Sequence, residues 1–103
     1  MRVRAMQNDD GISTGVEVSN TLLSRGRACR IAGRVPGARI LRKPRLFHSR
    51  REDFCAFELE GVPFVIIEPF GDNTVYWVVA EDPSAAVAPL IERVQATFAA
   101  AWG

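Results

Sequence analysis

The chain has 103 residues, of which 48% are hydrophobic and 24% charged, fractions that are typical of a single globular domain. Six Phe, two Trp and one Tyr argue against a disordered chain. No apolar stretch reaches the roughly 20 residues of a membrane-spanning helix. No apolar segment of the secretory type follows the basic residues after Met1. The composition therefore predicts a cytoplasmic protein without a membrane partner, and its abundant Arg and Ala are typical of a bacterial chain.

The chain contains two cysteines, Cys29 and Cys55, which are too few for a disulfide scaffold. Both stand among apolar neighbours. In a cytoplasmic protein thiols are reduced by default. We therefore expect each cysteine to be a small buried hydrophobic residue rather than a reactive or bridging thiol.

The net charge is only +1, but the charges are unevenly distributed. Residues 20–51 carry ten basic residues and no acid, whereas residues 52–103 carry nine acids and a single base. One hypothesis is a nucleic-acid or other polyanion surface on segment 25–51. The other is neutralisation of the basic segment by the acidic half, which the low net charge favours. The candidate polyanion contacts are Arg39, Arg42, Lys43, Arg45, Arg50 and Arg51.

The first half of the chain shows weak structural patterns. Residues 1–14 are polar and lack a period, which predicts a flexible N-terminal tail, and residues 15–103 are expected to form one domain. A short strand is predicted over residues 15–19. Residues 33–51 contain turn signals and indicate a short extended piece over 38–42 followed by a basic loop.

A first helix is predicted with its cap at Ser19 or Asn20 and its end at Gly33. Its apolar period is poor, and Gly26 in its interior costs about 1 kcal/mol. A strand over residues 28–32 is therefore the alternative.

From residue 54 onwards the pattern is that of an antiparallel meander. Residues 54–60 alternate between apolar and polar, and Gly61 supplies the positive φ of a tight hairpin. Residues 62–70 form a second predicted strand, residues 71–73 a turn and residues 74–80 a third strand.

The C-terminal segment has the clearest helical pattern of the chain. Pro89 requires that the helix begin near Val87 or that its first turn be loose or 3₁₀-like. The residues that share one helical face are Val87, Leu90, Ile91, Val94, Phe98, Ala101 and Trp102.

The second and third strands of the meander are apolar on both sides, which predicts that both sheet faces are covered. With a two-residue first turn, one face carries Cys55, Phe57, Leu59, Phe64, Ile66 and Val78. The other carries Phe54, Val65, Ile67, Val75, Trp77 and Val79. The C-terminal helix can cover one face, and the other needs residues 20–48 or a second copy of the chain.

The predicted fold class is α+β. It consists of an antiparallel β-meander of three to four strands, a C-terminal amphipathic helix packed on one face and a less clearly patterned N-terminal helix.

No catalytic, cofactor-binding or metal-binding pattern is present in the sequence. His48 is the only histidine, and the cysteines lack the spacing of a zinc site. Glu68 is an acid within an apolar strand, where it could act as an acid or base. More often such a glutamate pairs with an arginine or lies near the strand end in solvent.

These observations predict a non-catalytic protein-interaction or regulatory module. Its partner is another protein or a second copy of itself, in a homodimer joined through sheet faces, sheet edges or the Ala-lined back of the last helix. Nucleic-acid binding through segment 25–51 is the alternative. A small metal-free enzyme that uses Glu68, His48 or a cysteine is the second alternative.

Overall fold

The computed structural model describes residues 2–21, 23–43, 53–69 and 74–101. The elements in chain order are β1 (Val3–Gln7), β2 (Ser13–Ser19), α1 (Arg25–Gly33), β3 (Ala38–Arg42), β4 (Asp53–Leu59), β5 (Val62–Ile67), β6 (Val75–Ala80) and α2 (Ala88–Ala100). A 3₁₀ turn, Ala85–Val87, leads directly into α2. Within the described residues, no helix is long and apolar enough to cross a membrane.

The six strands form one antiparallel sheet in the order β1-β2-β6-β5-β4-β3. After the β1–β2 hairpin the chain passes through α1 to the opposite edge of the sheet. It then returns strand by strand through β3, β4 and β5, until β6 pairs with β2. The last strand in sequence is therefore central in space. The pairing of β6 with β2 and of β4 with β3 covers both edges that the β4–β5–β6 meander alone would expose.

The structure confirms an α+β fold with an antiparallel sheet and a C-terminal helix, and corrects the prediction of three to four strands with an N-terminal helix. The sheet has six strands, and the chain begins with a strand hairpin. Residues 1–14 were expected to form a tail, whereas Val3–Gln7 pair with β2. Because β1 is an edge strand with mostly exposed side chains, its sequence lacks an apolar period.

Helix α1 begins at Arg25, so the predicted cap at Ser19 or Asn20 was wrong, as was the alternative strand over residues 28–32. The hydroxyl of Ser24 accepts a hydrogen bond from the backbone N–H of Arg27 at 3.1 Å and thereby caps the helix. Ser24, four residues before the first buried helical residue, Ala28, therefore marks the start of the helix more accurately than the apolar period does.

The hairpin between β4 and β5 has the predicted two-residue turn. Glu60 and Gly61 both have positive φ, 49° and 82°, and Leu59 pairs with Val62 across them. Two consecutive residues of positive φ characterise the type I′ turn, whose twist matches that of the flanking strands. This turn fixes the register that places Phe57 opposite Phe64.

Both helices pack on the same face of the sheet, here called the inner face. Cys29 of α1 is bonded to Cys55 of β4, and α1 and α2 contact each other. The predicted stripe of the C-terminal helix is confirmed as buried for Val87, Leu90, Ile91, Val94 and Phe98. Ala101 is partly buried, and Trp102 lies outside the described residues. Pro89 lies in the first turn of α2. The largest fully buried side chains are Phe54, Phe57, Phe64, Phe98, Ile31, Leu59, Ile66, Val16, Val18, Val35, Val78 and Val94.

Candidate functional site

The outer face, defined as the sheet face opposite α1 and α2, is the candidate functional surface. Strand register places Val65 beside Val79 and Ile67 beside Trp77 at its centre. Alternation puts Val75 on the same side of β6. The sequence placed these five residues on one face, and the register agrees. Phe54 was assigned to the same face, but the irregularity between Asp53 and Cys55 shifts it inward, where it packs edge-on against Tyr76.

The outer face is apolar at its centre although neither helix covers it. Ile67, Val75, Trp77 and Val79 are partly exposed, and Val65 is only 8% exposed because it lies between neighbouring strands. An apolar surface of this kind is typical of a contact site.

One flank of the outer face carries an ion pair that also anchors the central tryptophan. Arg4 on β1 and Glu17 on β2 lie 2.7 Å apart, and the indole N–H of Trp77 donates to Glu17 at 3.1 Å. Glu17 pairs directly with Trp77 across the β2–β6 ladder. The sequence pattern did not predict this group, although a glutamate alternating with the valines of β2 is a signal that one side of that strand differs from the other.

The opposite flank carries two further ion pairs. Arg39 and Glu58 lie 2.9 Å apart, and Arg42 and Asp53 lie 2.8 Å apart. Arg42 also donates to the backbone carbonyl of Asp53 at 3.0 Å. Both flanks are thus internally neutralised, while the strip between them is apolar.

The candidate polyanion contacts are not brought together into one cluster within the described part of the chain. Arg39 and Arg42 are occupied by carboxylates, and Lys43 is exposed at the end of β3. Arg45, Arg50 and Arg51 lie outside the described residues. The pairing of two of the six candidates supports internal neutralisation of the basic segment.

Glu68 lies in an ion pair with Arg25 at 3.3 Å, one of the two arrangements that the sequence favoured for it. The guanidinium of Arg25 also lies 5.0 Å from the ring centroid of Phe54. Nearby, the hydroxyl of Tyr76 donates to the carbonyl of Leu23 at 3.0 Å. Burial raises the pKa of Tyr76, and the negative charge of Glu68 raises that pKa further. These contacts fasten the start of α1 to the sheet.

The other residues singled out for chemistry have different outcomes. Cys29 and Cys55 are buried as expected, 3% and 0% exposed, but they form a disulfide, which corrects the expectation of reduced thiols. Their Cα atoms are 5.8 Å apart, within the usual range for a disulfide. His48 lies outside the described residues. In the described ranges, no group of three or more His, Cys, Asp or Glu side chains is arranged to hold a metal ion.

The chain matches no protein-family model, no curated protein and no solved structure.

Proposed function

We propose that this protein is a non-catalytic interaction module that binds a second copy of itself through the outer face. The observation that carries the proposal is an apolar strip, centred on Trp77 and bordered by neutralised ion pairs, on the sheet face that both helices leave uncovered. The proposal that the protein is non-catalytic is supported by Glu68, because this candidate acid or base is paired with Arg25.

A second copy is the occupant that the charges favour. A two-fold axis parallel to the strands, lying between two stacked outer faces, would place the β1–β2 flank of one copy over the β3–β4 flank of the other. Each flank presents an arginine beside a carboxylate, Arg4 with Glu17 and Arg39 with Glu58. When the two flanks meet, each Arg4–Glu17 pair can lie beside an Arg39–Glu58 pair of the other copy. The resulting group has two positive and two negative charges and no net charge. A strongly cationic or anionic partner would meet no surface of opposite net charge on these flanks.

The dimensions of the face predict modest affinity. Six strands about 4.8 Å apart and about five residues long, at about 3.3 Å per residue, have a footprint on the order of 400 Å². This corresponds to a small interface, below about 1,200 Å² in total. We therefore expect a dissociation constant on the order of 1 μM.

The test is light scattering of the purified protein over a concentration series from about 1 to about 500 μM, a range that brackets that affinity. The expected result is a rise from one to two chain masses. Trp77→Glu places a charge at the centre of the strip and should keep the protein monomeric. Ala96→Glu, on the exposed back of α2, makes a similar change on the opposite side of the molecule and should leave the dimer intact.

Three outcomes would contradict the proposal. A single chain mass at every concentration would exclude the second copy. Dissociation by Ala96→Glu and not by Trp77→Glu would assign the interface to the helix backs. A mass increase only on addition of an oligonucleotide, weakened by added salt, would support the nucleic-acid alternative.

A further inference from the structure

The disulfide joins the two layers of the molecule at one point. Cys29 lies on α1 and Cys55 on β4, 26 residues apart in sequence. The contacts of α1 with the sheet are mainly to β3 and β4, at one edge. The bond therefore links the shorter helix to the strands that it covers.

The two sulfurs of this bond are not equivalent. Cys55 has no exposed surface, whereas Cys29 lines a surface depression of about 270 Å³. The other residues that line it are Gly26, Arg30, Ile40 and Lys43. Because thiol–disulfide exchange requires access to the sulfur that is attacked, Cys29, which is 3% exposed and borders the depression, is the more accessible of the two.

The depression is positively charged. Arg30 and Lys43 are exposed, and neither forms an ion pair with a carboxylate in the described parts of the chain. The three arginines Arg25, Arg39 and Arg42 are, by contrast, each paired with an acid. Two unpaired cations beside one sulfur favour the approach of a thiolate, and more so if it carries carboxylates.

We propose that Cys29 is an exchange site for small anionic thiols of the glutathione class. The thiolate sulfur attacks Sγ of Cys29 and forms a new S–S bond, while the Cys29–Cys55 bond breaks. Cys55 leaves as a thiolate and takes a proton from water. A second thiol then attacks the mixed disulfide at the sulfur of the first. This releases Cys29 as a thiol and gives the small-molecule disulfide. Two thiols are oxidised for each protein disulfide that is reduced.

This site is separate from the proposed dimer surface, because α1 and the outer face lie on opposite sides of the sheet. The mixed disulfide would fill the depression with an anionic group held by Arg30 and Lys43. It would at the same time release α1 from its covalent link to β4. The proposal therefore adds a modification site and does not rest on self-association.

The test compares the rates at which three thiols open the disulfide, each corrected for its thiolate concentration. The probes are glutathione, which is anionic, β-mercaptoethanol, which is neutral, and cysteamine, which is cationic. The wild-type protein should react fastest with glutathione. The double variant Arg30→Glu/Lys43→Glu should slow the glutathione reaction about fivefold at low salt. It should slow the β-mercaptoethanol reaction less, because that thiolate carries no carboxylates.

Arg34→Glu is the matched control, because Arg34 is an exposed cation just after α1 that does not line the depression. It should leave all three rates close to those of the wild type. Equal corrected rates for the three thiols, or equal slowing by Arg34→Glu, would overturn the charge argument.

A second measurement identifies the sulfur that is modified. Cys55→Ser leaves Cys29 as the single thiol, and oxidised glutathione should modify it. Cys29→Ser leaves the buried Cys55, which should react at least tenfold more slowly while the protein is folded. Circular dichroism is the control that checks whether both variants are folded. Faster modification of Cys55 than of Cys29 in folded protein would overturn the assignment.

Discussion

The two faces of the sheet carry similar apolar residues but differ in how much of them is exposed to solvent. Phe64 and Ile66 point towards the helices and are completely buried, whereas Ile67, from the same strand, lies on the outer face and is partly exposed. The inner face is closed by α1 and α2, and the outer face is bordered by ion pairs. A strand that is apolar on both sides therefore indicates that both sheet faces are to be buried. It does not show that elements of the same chain bury them.

The largest effect is expected where α2 closes the inner face. Phe98 is completely buried, and Phe98→Ala should lower the free energy of unfolding by about 3–5 kcal/mol through lost contacts and the cavity left behind. Urea unfolding followed by circular dichroism measures this loss. Glu92→Ala, on the exposed side of α2, is the control and should change stability by less than about 0.5 kcal/mol. A loss below about 1 kcal/mol for Phe98→Ala would mean that α2 does not form the core.

Two neighbouring residues of β5 test the comparison most directly. Ile66→Ala on the inner face should cost about 3 kcal/mol, whereas Ile67→Ala on the outer face should cost about 1 kcal/mol in dilute solution. The same substitution on the same strand isolates the effect of the helix layer. If the outer face joins two copies, the cost of Ile67→Ala should grow with protein concentration. Equal costs in dilute solution would contradict the distinction between the faces.

Gly15 shows that not every position on the outer face tolerates a larger side chain. A Cβ atom at Gly15 would lie 2.7 Å from Cα of Val79 and would also contact the carbonyl oxygen of Val78. Because these are backbone atoms of β6, Gly15→Ala should displace the β2–β6 pair and cost about 2 kcal/mol. Gly26→Ala in α1, where a Cβ meets open space, should instead stabilise the protein by about 0.5–1 kcal/mol. Thermal unfolding distinguishes the two signs.

The smallest effect concerns the buried hydroxyl of Tyr76, whose pKa is raised above its ordinary value of 10.0 by burial and by Glu68. The folded protein therefore holds this proton more tightly than the unfolded chain. The resulting stability is present below pH 10 and is lost as the pH rises through the folded-state pKa. Tyr76→Phe should cost about 1 kcal/mol at neutral pH, since the Leu23 carbonyl loses its donor, and should remove most of the decline above pH 10.

The ultraviolet absorbance of tyrosinate reports directly on this group, because the chain has a single tyrosine. Glu68→Gln should move the titration to lower pH. An unchanged titration in that variant would exclude the effect of the Glu68 charge.

The site was partly predictable from sequence. Period-2 alternation placed Trp77, Val79 and Ile67 on one face, because side-chain direction follows from position along a strand. The Glu17–Arg4 flank was not predicted, because it depends on pairing between β1, β2 and β6. Polar edge strands such as β1 carry too weak a period to be recognised, since most of their side chains face water.

The sequence by itself determined the elements whose signals are local. The Glu60–Gly61 turn, the strands on either side of it and the apolar stripe of α2 each follow from residues that are close together in sequence. Tertiary structure alone decided that β6 pairs with β2, that both helices share one face, and that Cys29 meets Cys55. These contacts join segments 26 to about 60 residues apart. Local periodicity specifies which side of an element is apolar, whereas its distant partner depends on how all the apolar faces can be buried together.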